Sequence, residues 1–515
     1  MNISQMLAHN ASAYPDHTAL IELSAKGSSR ATIDWAEFDA SANQFANALA
    51  GLGIGRDDKV LHLMRNSINW LIAYFGIIRT GAWAVPLNYR FNSHDIEYCA
   101  DIAEAKAFIL EDEFVERVEA VRPKLETIKH YIYSGDNLPA RMLDFEQIIS
   151  QANPQPPLVE IGSYDACGLY FTSGTTGVPK PILLTHKNME NAAIVEQKHH
   201  YQHHGDNFIL IPPLYHTGAK MHWLGSLLTG SKATILTEVS PRIIFETVHN
   251  EYGSIVWLLV PWVQDILGAL ERGELNKDDY DLSHWRLMHI GAQPVPPSLI
   301  RRWEEIFPGM AFDNNYGLSE ASGPGCVHLG IGNERKLGSI GKAGYGWQTR
   351  ILNDRQEDVV MGEIGELLVR GGGVMREYYR NPELTATAMQ DGWLHTGDMV
   401  REDEEGFIYI VDRKKDLVIC GGENVFPVEI EAVLQQHTKV HDVAVIGLPD
   451  TRLGEIVAAV LQPKPGETLS EAEIMEYCEC NLPRYKRPRR IIFDDVPRNP
   501  TGKIEKPRLR EKYSG

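Results

Sequence analysis

At 515 residues the chain is too long for one ordinary hydrophobic core, and its length suggests about three domains. Hydrophobic residues make up 43% and charged ones 23%, a balance of folded globular domains that argues against a disordered chain or a fibrous repeat. The formal net charge of −19 argues against a general nucleic-acid binder, which needs a basic footprint to displace counterions, so any polyanion must meet a local basic patch.

The six cysteines (99, 167, 326, 420, 478, 480) include no CxxC pair, which fits a reducing compartment and no zinc ribbon. Residues 1–17 are polar and lack the basic-then-apolar layout of a signal peptide. The most apolar run, 255–263, is far shorter than the about 20 residues that cross a bilayer. A cytoplasmic protein without a transmembrane segment is expected.

The first strong pattern is a helix over 32–53. Trp35, Phe38, Ala42, Phe45 and Leu49 step by three and four, and Asp34 with Glu37 resembles a capping box. Strands and helices then alternate: strand 59–64, helix 67–79, strand 84–87, helix 93–104, strand 107–110. That is βαβ alternation, which predicts parallel sheets covered by helices.

At 166–172 an apolar strand leads into Tyr170-Phe-Thr-Ser-Gly-Thr-Thr-Gly-Val-Pro-Lys180, and a second strand follows at 182–185, before His186. Gly174 and Gly177 let backbone N–H groups turn toward an anion. Thr172, Ser173, Thr175 and Thr176 add hydroxyl donors, and Lys180 adds a mobile charge. The spacing Gly174-x2-Gly177-x2-Lys180 differs from the Gly-x4-Gly-Lys-Ser/Thr of the P-loop. Taken alone, the loop reads as a triphosphate cradle or as a plain surface turn.

Alternation resumes with strand 208–211, helix 218–228, strand 233–236, helix 241–249 and strand 255–260, the last apolar throughout as burial on both faces requires. From about 338 the chain becomes glycine-rich with shorter strands at 365–370 and 407–411, a β-rich subdomain. Asp412-Arg-Lys-Lys-Asp416 punctuates the chain, and a new pattern follows: helix 428–436, strands 443–447 and 456–462, helix 471–481. The expected fold is α/β: a large domain over 1–411 and a small α+β domain over 412–515. The tail from 482 onward carries eleven Lys and Arg against four acids, a local +7, which suits either a bound polyanion or a solvated surface.

Several motifs occur in one order: the loop at 170–186, Tyr215-His216-Thr-Gly218, Asn315-Tyr-Gly-Leu-Ser-Glu320, Gly392-Trp-Leu-His-Thr-Gly-Asp398, the run Asp412-Arg-Lys-Lys-Asp416 continuing to Asn424, and Pro500-Thr-Gly-Lys-Ile504. As an ordered set covering nearly the whole length, they resemble the AMP-forming acyl-CoA synthetases of the adenylate-forming superfamily.

That resemblance implies roles. Glu320 would hold Mg²⁺ against nucleotide phosphates, a hard cation on an oxygen ligand. Asp398 would accept hydrogen bonds from both ribose hydroxyls, with Arg413 nearby. Gly291-Ala292-Gln293 and Asn315-Tyr316 would flank adenine, Tyr316 as the stacking plane and Ser319 close to the nucleotide. Lys503 would bridge the acid carboxylate and the α-phosphate by electrostatic stabilisation. The small domain would then swing about Lys415, giving CoA access along a channel lined by Gly421 and Gly422, where glycine allows close passage. The implied catalytic set is Lys503, Glu320, Lys415 and the loop's Thr176; His216, Trp223, Trp262, Gly317 and Leu318 would face the acyl substrate.

Some residues depart from the family pattern. Pro181 stands where glycine is usual, Ser319 where threonine is, and Trp262 where a smaller residue is; a tryptophan lining the acyl pocket would shorten it. The cluster His199-His-Tyr-Gln-His-His204 has helix spacings that bind metal, yet reads first as surface or interface packing. The expected activity joins a small carboxylic acid to CoA with ATP and Mg²⁺, for a medium-length, alicyclic or aromatic acid. Loading of a carrier-protein thiol, or a non-catalytic nucleotide-binding relative, stand as rivals. No nucleic-acid partner is expected, and a homo-oligomer remains open.

Overall fold

The computed structural model describes residues 1–24, 29–172, 179–291, 295–420, 423–498 and 504–514. Two large mixed sheets dominate. In the nine-stranded sheet, Thr18–Leu23, Lys232–Leu236, Asn207–Leu210, Ile255–Leu259, Leu287–Gly291 and Ala311–Leu318 lie parallel in that spatial order. Antiparallel strands close its two ends. In the eight-stranded sheet, Trp83–Pro86, Lys59–Leu63, Ala107–Glu111 and His130–Ser134 are parallel, and Ala166–Thr172 joins them beside Trp83–Pro86. Lys180–Thr185 and Glu377–Tyr378 extend that edge antiparallel.

Helices Trp35–Gly51, Ile68–Arg79, His186–His200 and Thr217–Thr229 fill the layer between the sheets. Their apolar faces form one core with both sheets, while separate cores cover each outer face, giving five layers. Strand alternation follows: Phe208 and Leu210 point into the shared core, Ile209 into the outer one. All five residues of the periodic stripe, Trp35 to Leu49, are fully buried, Phe38, Phe45 and Leu49 each contributing about 1.5–3 kcal/mol of apolar burial. Helices Trp35–Gly51 and Ile68–Arg79 approach closely where Phe45 meets Gly76, since a Cβ on Gly76 would stand 2.6 Å from Phe45 Cδ1. Lys220 is wholly buried in this layer, its Nζ 4.1 Å from the centres of the Tyr74 and Tyr170 rings and without a hydrogen-bond partner among the described residues.

Two boundaries differ from the sequence reading. Residues 30–34 form a strand, Arg30–Asp34, because Ile33 pairs with Leu20 while Ala31 and Thr32 face outward; the helix starts at Trp35, with Asp34 accepting from the Glu37 N–H. The apolar run at 255–263 is a strand only to Leu259. A helix, Val260–Glu271, begins there with proline in its first turn, and uniform hydrophobicity hid the change of period.

Beyond 344, Gln348–Leu352, Gly365–Arg370, Trp393–Glu402 and Ile408–Arg413 form an antiparallel sheet. Residues 418–493 supply a further five-stranded sheet with a core on each face. Helix Lys506–Tyr513 packs on one of those faces through Leu509 and Tyr513. No helix among the described residues is long and apolar enough to cross a membrane.

Candidate active site

The predicted phosphate loop joins two antiparallel strands in register, Thr172 opposite Lys180 and Phe171 opposite Pro181. Ser173, Gly174, Thr175, Thr176 and Gly177 lie outside the described residues. Pro181 costs the hairpin one donor, yet its carbonyl still accepts the Tyr379 N–H at 2.9 Å. Lys180 Nζ stands 5.6 Å from the centre of the Tyr378 ring.

Tyr378 carries the connection onward. Its hydroxyl donates to Glu320 Oε1 at 2.7 Å. Burial and the Glu320 charge push the Tyr378 phenol far above its ordinary range, so it stays a donor. Glu320 sits half-buried in the turn Ser319–Ala321 that ends strand Ala311–Leu318 of the nine-stranded sheet. Tyr378 belongs to the eight-stranded sheet, paired with Ile182. The Met375 N–H donates to the Glu320 carbonyl at 2.7 Å, and Thr217 Oγ1 donates to Ser319 Oγ at 3.0 Å, fixing the turn from both sides. Gly317 and Leu318, half-buried, lead into it.

A second constellation stands where strand Ala311–Leu318 meets the antiparallel sheet. Asp398 and Arg413 are cross-strand partners, and Arg413 Nε lies 2.6 Å from Asp398 Oδ1. The Tyr316 hydroxyl donates to Asp398 Oδ2. Asp398 is almost wholly buried, so its charge is compensated by a partly exposed guanidinium and a phenol. Burial first, then the Asp398 charge, hold the Tyr316 phenol well above its usual range; the same carboxylate raises Arg413 further. Gly291 lies beside Asn315 across adjacent parallel strands, and a Cβ at Gly291 would stand 2.6 Å from Asn315 Oδ1. The sheet thus brings Gly291 to Asn315 and Tyr316; Ala292 and Gln293 lie outside the described residues.

His216 caps helix Thr217–Thr229, its Nδ1 accepting from the Gly218 N–H at 3.2 Å. Trp223 is fully buried in the shared core, edge-on to Phe75. Trp262, on helix Val260–Glu271, is half-buried against the outer core. These two tryptophans therefore pack on opposite faces of the nine-stranded sheet, because Trp257 and Leu258 point to opposite cores and the helix starts immediately after. The residues expected to face the acyl group are therefore drawn from both faces of the sheet. The aromatic ring at Gly218 is that of Trp257, with Cη2 3.2 Å from where a Cβ would stand. Trp257, Thr217 and Tyr378 were missed because each reads as ordinary core or cap residue in sequence.

Lys415 is exposed in the turn after Arg413, whose carbonyl accepts the N–H groups of Asp416 and Leu417. On either side of it, Asp412 accepts from the Val428 N–H at 3.0 Å, and Asp416 pairs with Arg510 at 2.6 Å. Burial raises Asp412 to about 6. Gly421, Gly422 and Lys503 lie outside the described residues; Arg498 and Ile504, which flank the lysine's segment, form an isolated bridge.

The histidine run divides. His203 is exposed and His204 lies against His17, as surface packing requires, but His200 is completely buried against Asp313. The surface reading fails for His200 because helix His186–His200 turns that face to the nine-stranded sheet.

A model of the AMP-binding enzyme family matches residues 7–379, and a model of the AMP-binding enzyme C-terminal domain matches 429–503. The chain is 33% identical over 521 residues to a long-chain-fatty-acid–CoA ligase of Mycobacterium tuberculosis, covering 100% of this chain and 99% of that one. Among solved structures, an anthranilate CoA ligase in complex with anthranoyl-AMP superposes with a TM-score of 0.89 at 27% identity, over 99% of this chain and 97% of the other. ATP-bound MatB from Rhodopseudomonas palustris gives a TM-score of 0.89 at 27% identity, over 100% and 99% of the two chains.

Proposed function

The chain belongs to the AMP-binding enzyme family, the adenylate-forming superfamily of AMP-forming acyl-CoA ligases, and from that premise we propose that it activates a compact monocarboxylic acid in two steps. In the first, the acid's carboxylate attacks the α-phosphorus of ATP and pyrophosphate leaves. In the second, the CoA thiol attacks the acyl carbonyl and AMP leaves.

The observation that carries this reading is the convergence of Asp398, Arg413 and Tyr316 beside Gly291 and Asn315, with Glu320, Tyr378 and Lys180 on the side of the loop. Asp398 accepts from both ribose hydroxyls, since a carboxylate offers about four lone-pair sites and the protein occupies two. Tyr316 presents its ring to adenine, and the segment Gly291, Ala292 and Gln293 forms the other wall. The loop residues Thr172, Ser173, Gly174, Thr175, Thr176 and Gly177, with Lys180, take the outer phosphates. Glu320 fits a hard cation, because Tyr378 fixes one of its oxygens and orients the half-buried carboxylate. Mg²⁺ held there supplies charge neutralisation on the phosphate oxygens.

Lys503 offsets the repulsion between carboxylate and α-phosphate, the dominant electrostatic cost of the first step. Residues 412–515 act as a small lid that pivots at the exposed Lys415 turn, withdrawing Lys503 and bringing Gly421 and Gly422 to the pantetheine arm. The basic tail meets the CoA phosphates. Six unpaired cysteines suit a cytoplasmic setting.

For the acid, the relatives act on both a long-chain fatty acid and anthranilate by their names, so identity alone does not select. The Trp257 ring against Gly218, next to His216, favours a medium-length, alicyclic or aromatic acid over a long straight chain. Incubation with ATP, Mg²⁺, CoA and a panel of such acids, with long-chain acids as contrast, is expected to yield AMP and thioester with the compact acids. Neither product from any acid would refute the activity, and preference for long-chain acids would refute the substrate class.

A further inference from the structure

Behind the nucleotide side of the site, two carboxylates and four imidazoles meet in the protein interior: Glu196 and His200 from helix His186–His200, His222 from helix Thr217–Thr229, His289, Asp313 and His328 from neighbouring strands. None is more than 2% exposed. Buried polar groups are ordinarily paired, and one left unpaired costs about 1–3 kcal/mol. Here both Glu196 oxygens, His200 Nδ1, His222 Nδ1, His289 Nδ1 and His328 Nε2 all lack a hydrogen-bond partner among the described residues.

The proton positions explain why. Asp313 Oδ2 lies 3.0 Å from His200 Nε2 and 2.8 Å from His328 Nδ1, so each of those nitrogens carries the proton and donates. The lone pairs of His200 Nδ1 and His328 Nε2 are thereby left on the other side, 3.2 Å from Glu196 Oε2 and 3.8 Å from Glu196 Oε1. The Asn315 amide stands 3.3 Å from His222 Nε2, which makes that nitrogen an acceptor. His289 Nε2, 2.8 Å from the same atom, is then the donor, leaving the His289 Nδ1 lone pair bare. The Glu196 carboxylate thus faces the lone pairs of His200 and His328, with the His222 Nδ1–H 3.5 Å from Glu196 Oε2, and His289 joins Glu196 and His200 within 4.8 Å. A single proton on Glu196 satisfies one lone pair only.

We propose that Glu196, His200 and His289 bind a divalent transition-metal ion of the Zn²⁺ class, with Asp313 as the positioning carboxylate behind His200. These three residues bring one ligand atom each to within 4.8 Å of one another, all buried. Tetrahedral coordination at about 2.0–2.1 Å sets ligand atoms about 3.3 Å apart, which the Glu196–His200 separation of 3.2 Å already matches. His328 Nε2 lies 3.8 Å from Glu196 Oε1. Asp313 to His200 reproduces the carboxylate–histidine pairing that fixes a metal-binding tautomer. Imidazole and carboxylate without thiolate suit zinc, cobalt or nickel over calcium or magnesium. An ion here would fasten helix His186–His200 to the strands that carry Gly291 and Asn315, with His222 contacting Asn315.

The full-length chain produced in medium containing Zn²⁺, and separately Co²⁺, then desalted, is expected to carry about one metal ion per chain by elemental mass spectrometry. The cobalt form should show intense visible d–d bands of a four-coordinate N/O site. Glu196→Gln and His289→Gln should each lower the content at least about tenfold. Content below about a tenth of an ion per wild-type chain from both media, or content unchanged in both variants, would overturn the proposal, since the network would then be held by protons or water. Where the variants fail to fold, the wild-type cobalt spectrum decides: weak six-coordinate bands place any ion at the surface.

Discussion

Replacing Asp398 by asparagine removes one charge and almost no volume. The side chain is 3% exposed, with Oδ1 on Arg413 and Oδ2 on the Tyr316 hydroxyl. The amide adapts to both, its oxygen facing Arg413 and its NH₂ facing a phenol oxygen that can accept. Arg413 is 42% exposed, so water takes over much of the lost ion pair and the structural cost stays near 1 kcal/mol. The nucleotide loses more. An amide has a single acceptor oxygen, already engaged by Arg413, so at least one charge-assisted bond to a ribose hydroxyl disappears, worth about 1.5–3 kcal/mol. At about 1.4 kcal/mol per decade, the KM for ATP should rise about ten- to a hundredfold. Pyrophosphate release at varied ATP, with acid and Mg²⁺ saturating, measures this, and a thermal melt shows that the fold is kept. A KM for ATP within about twofold of the parent, with the melt unchanged, would refute the reasoning: the carboxylate would then serve only to pin Arg413 and Tyr316.

Lys503→Ala should lower adenylate formation by about a hundredfold or more while leaving thioester formation from supplied acyl-adenylate within about threefold; Lys415→Pro should do the reverse, and equal loss of both steps in either variant removes the assigned role. Glu320→Gln should raise the Mg²⁺ concentration needed for half-maximal pyrophosphate release, and an unchanged Mg²⁺ titration counts against the ligand assignment. Lys220 is buried beside Tyr74, Tyr170, His62 and Cys167, with no carboxylate partner, and burial carries its pKa well below 10.5. With its folded pKa held below its unfolded one, it makes the parent more stable as pH rises through the window between them. Lys220→Met should abolish that slope and be more stable at pH 7 by about 1–3 kcal/mol, as read by denaturant melts at several pH values. A parallel slope in parent and variant rejects the lowered pKa.

What could be read in sequence was what repeats or what punctuates. The stripe from Trp35 to Leu49 announced a buried helix face, and uniformly apolar strands such as 255–259 announced sheets covered on both sides. The ordered motifs named Asp398, Arg413, Glu320 and Tyr316 before their geometry was known. The partners were illegible because they are made by three-dimensional closure. Tyr378 meets Glu320 across 58 residues, and Trp257 reaches Gly218 across two helices and a strand; neither spacing follows a period. The histidines misled for a related reason: His200 and His203 look alike in the chain, and only the end of the helix at His200 sends one inward and the other to solvent. The break at Leu259 failed because a strand and the first turn of a buried helix are equally apolar.

The hydrogen bond from Tyr378 to Glu320 joins the edge of one large sheet to the end of a strand in the other. The proposed site is therefore a seam between two sheets that a layer of helices holds apart. At Gly76, where two helices of that layer touch, a single added methyl would act as a wedge between Trp35–Gly51 and Ile68–Arg79. Packing deep in the interior thus bears on the layer from which both sheets, and the seam between them, take their places.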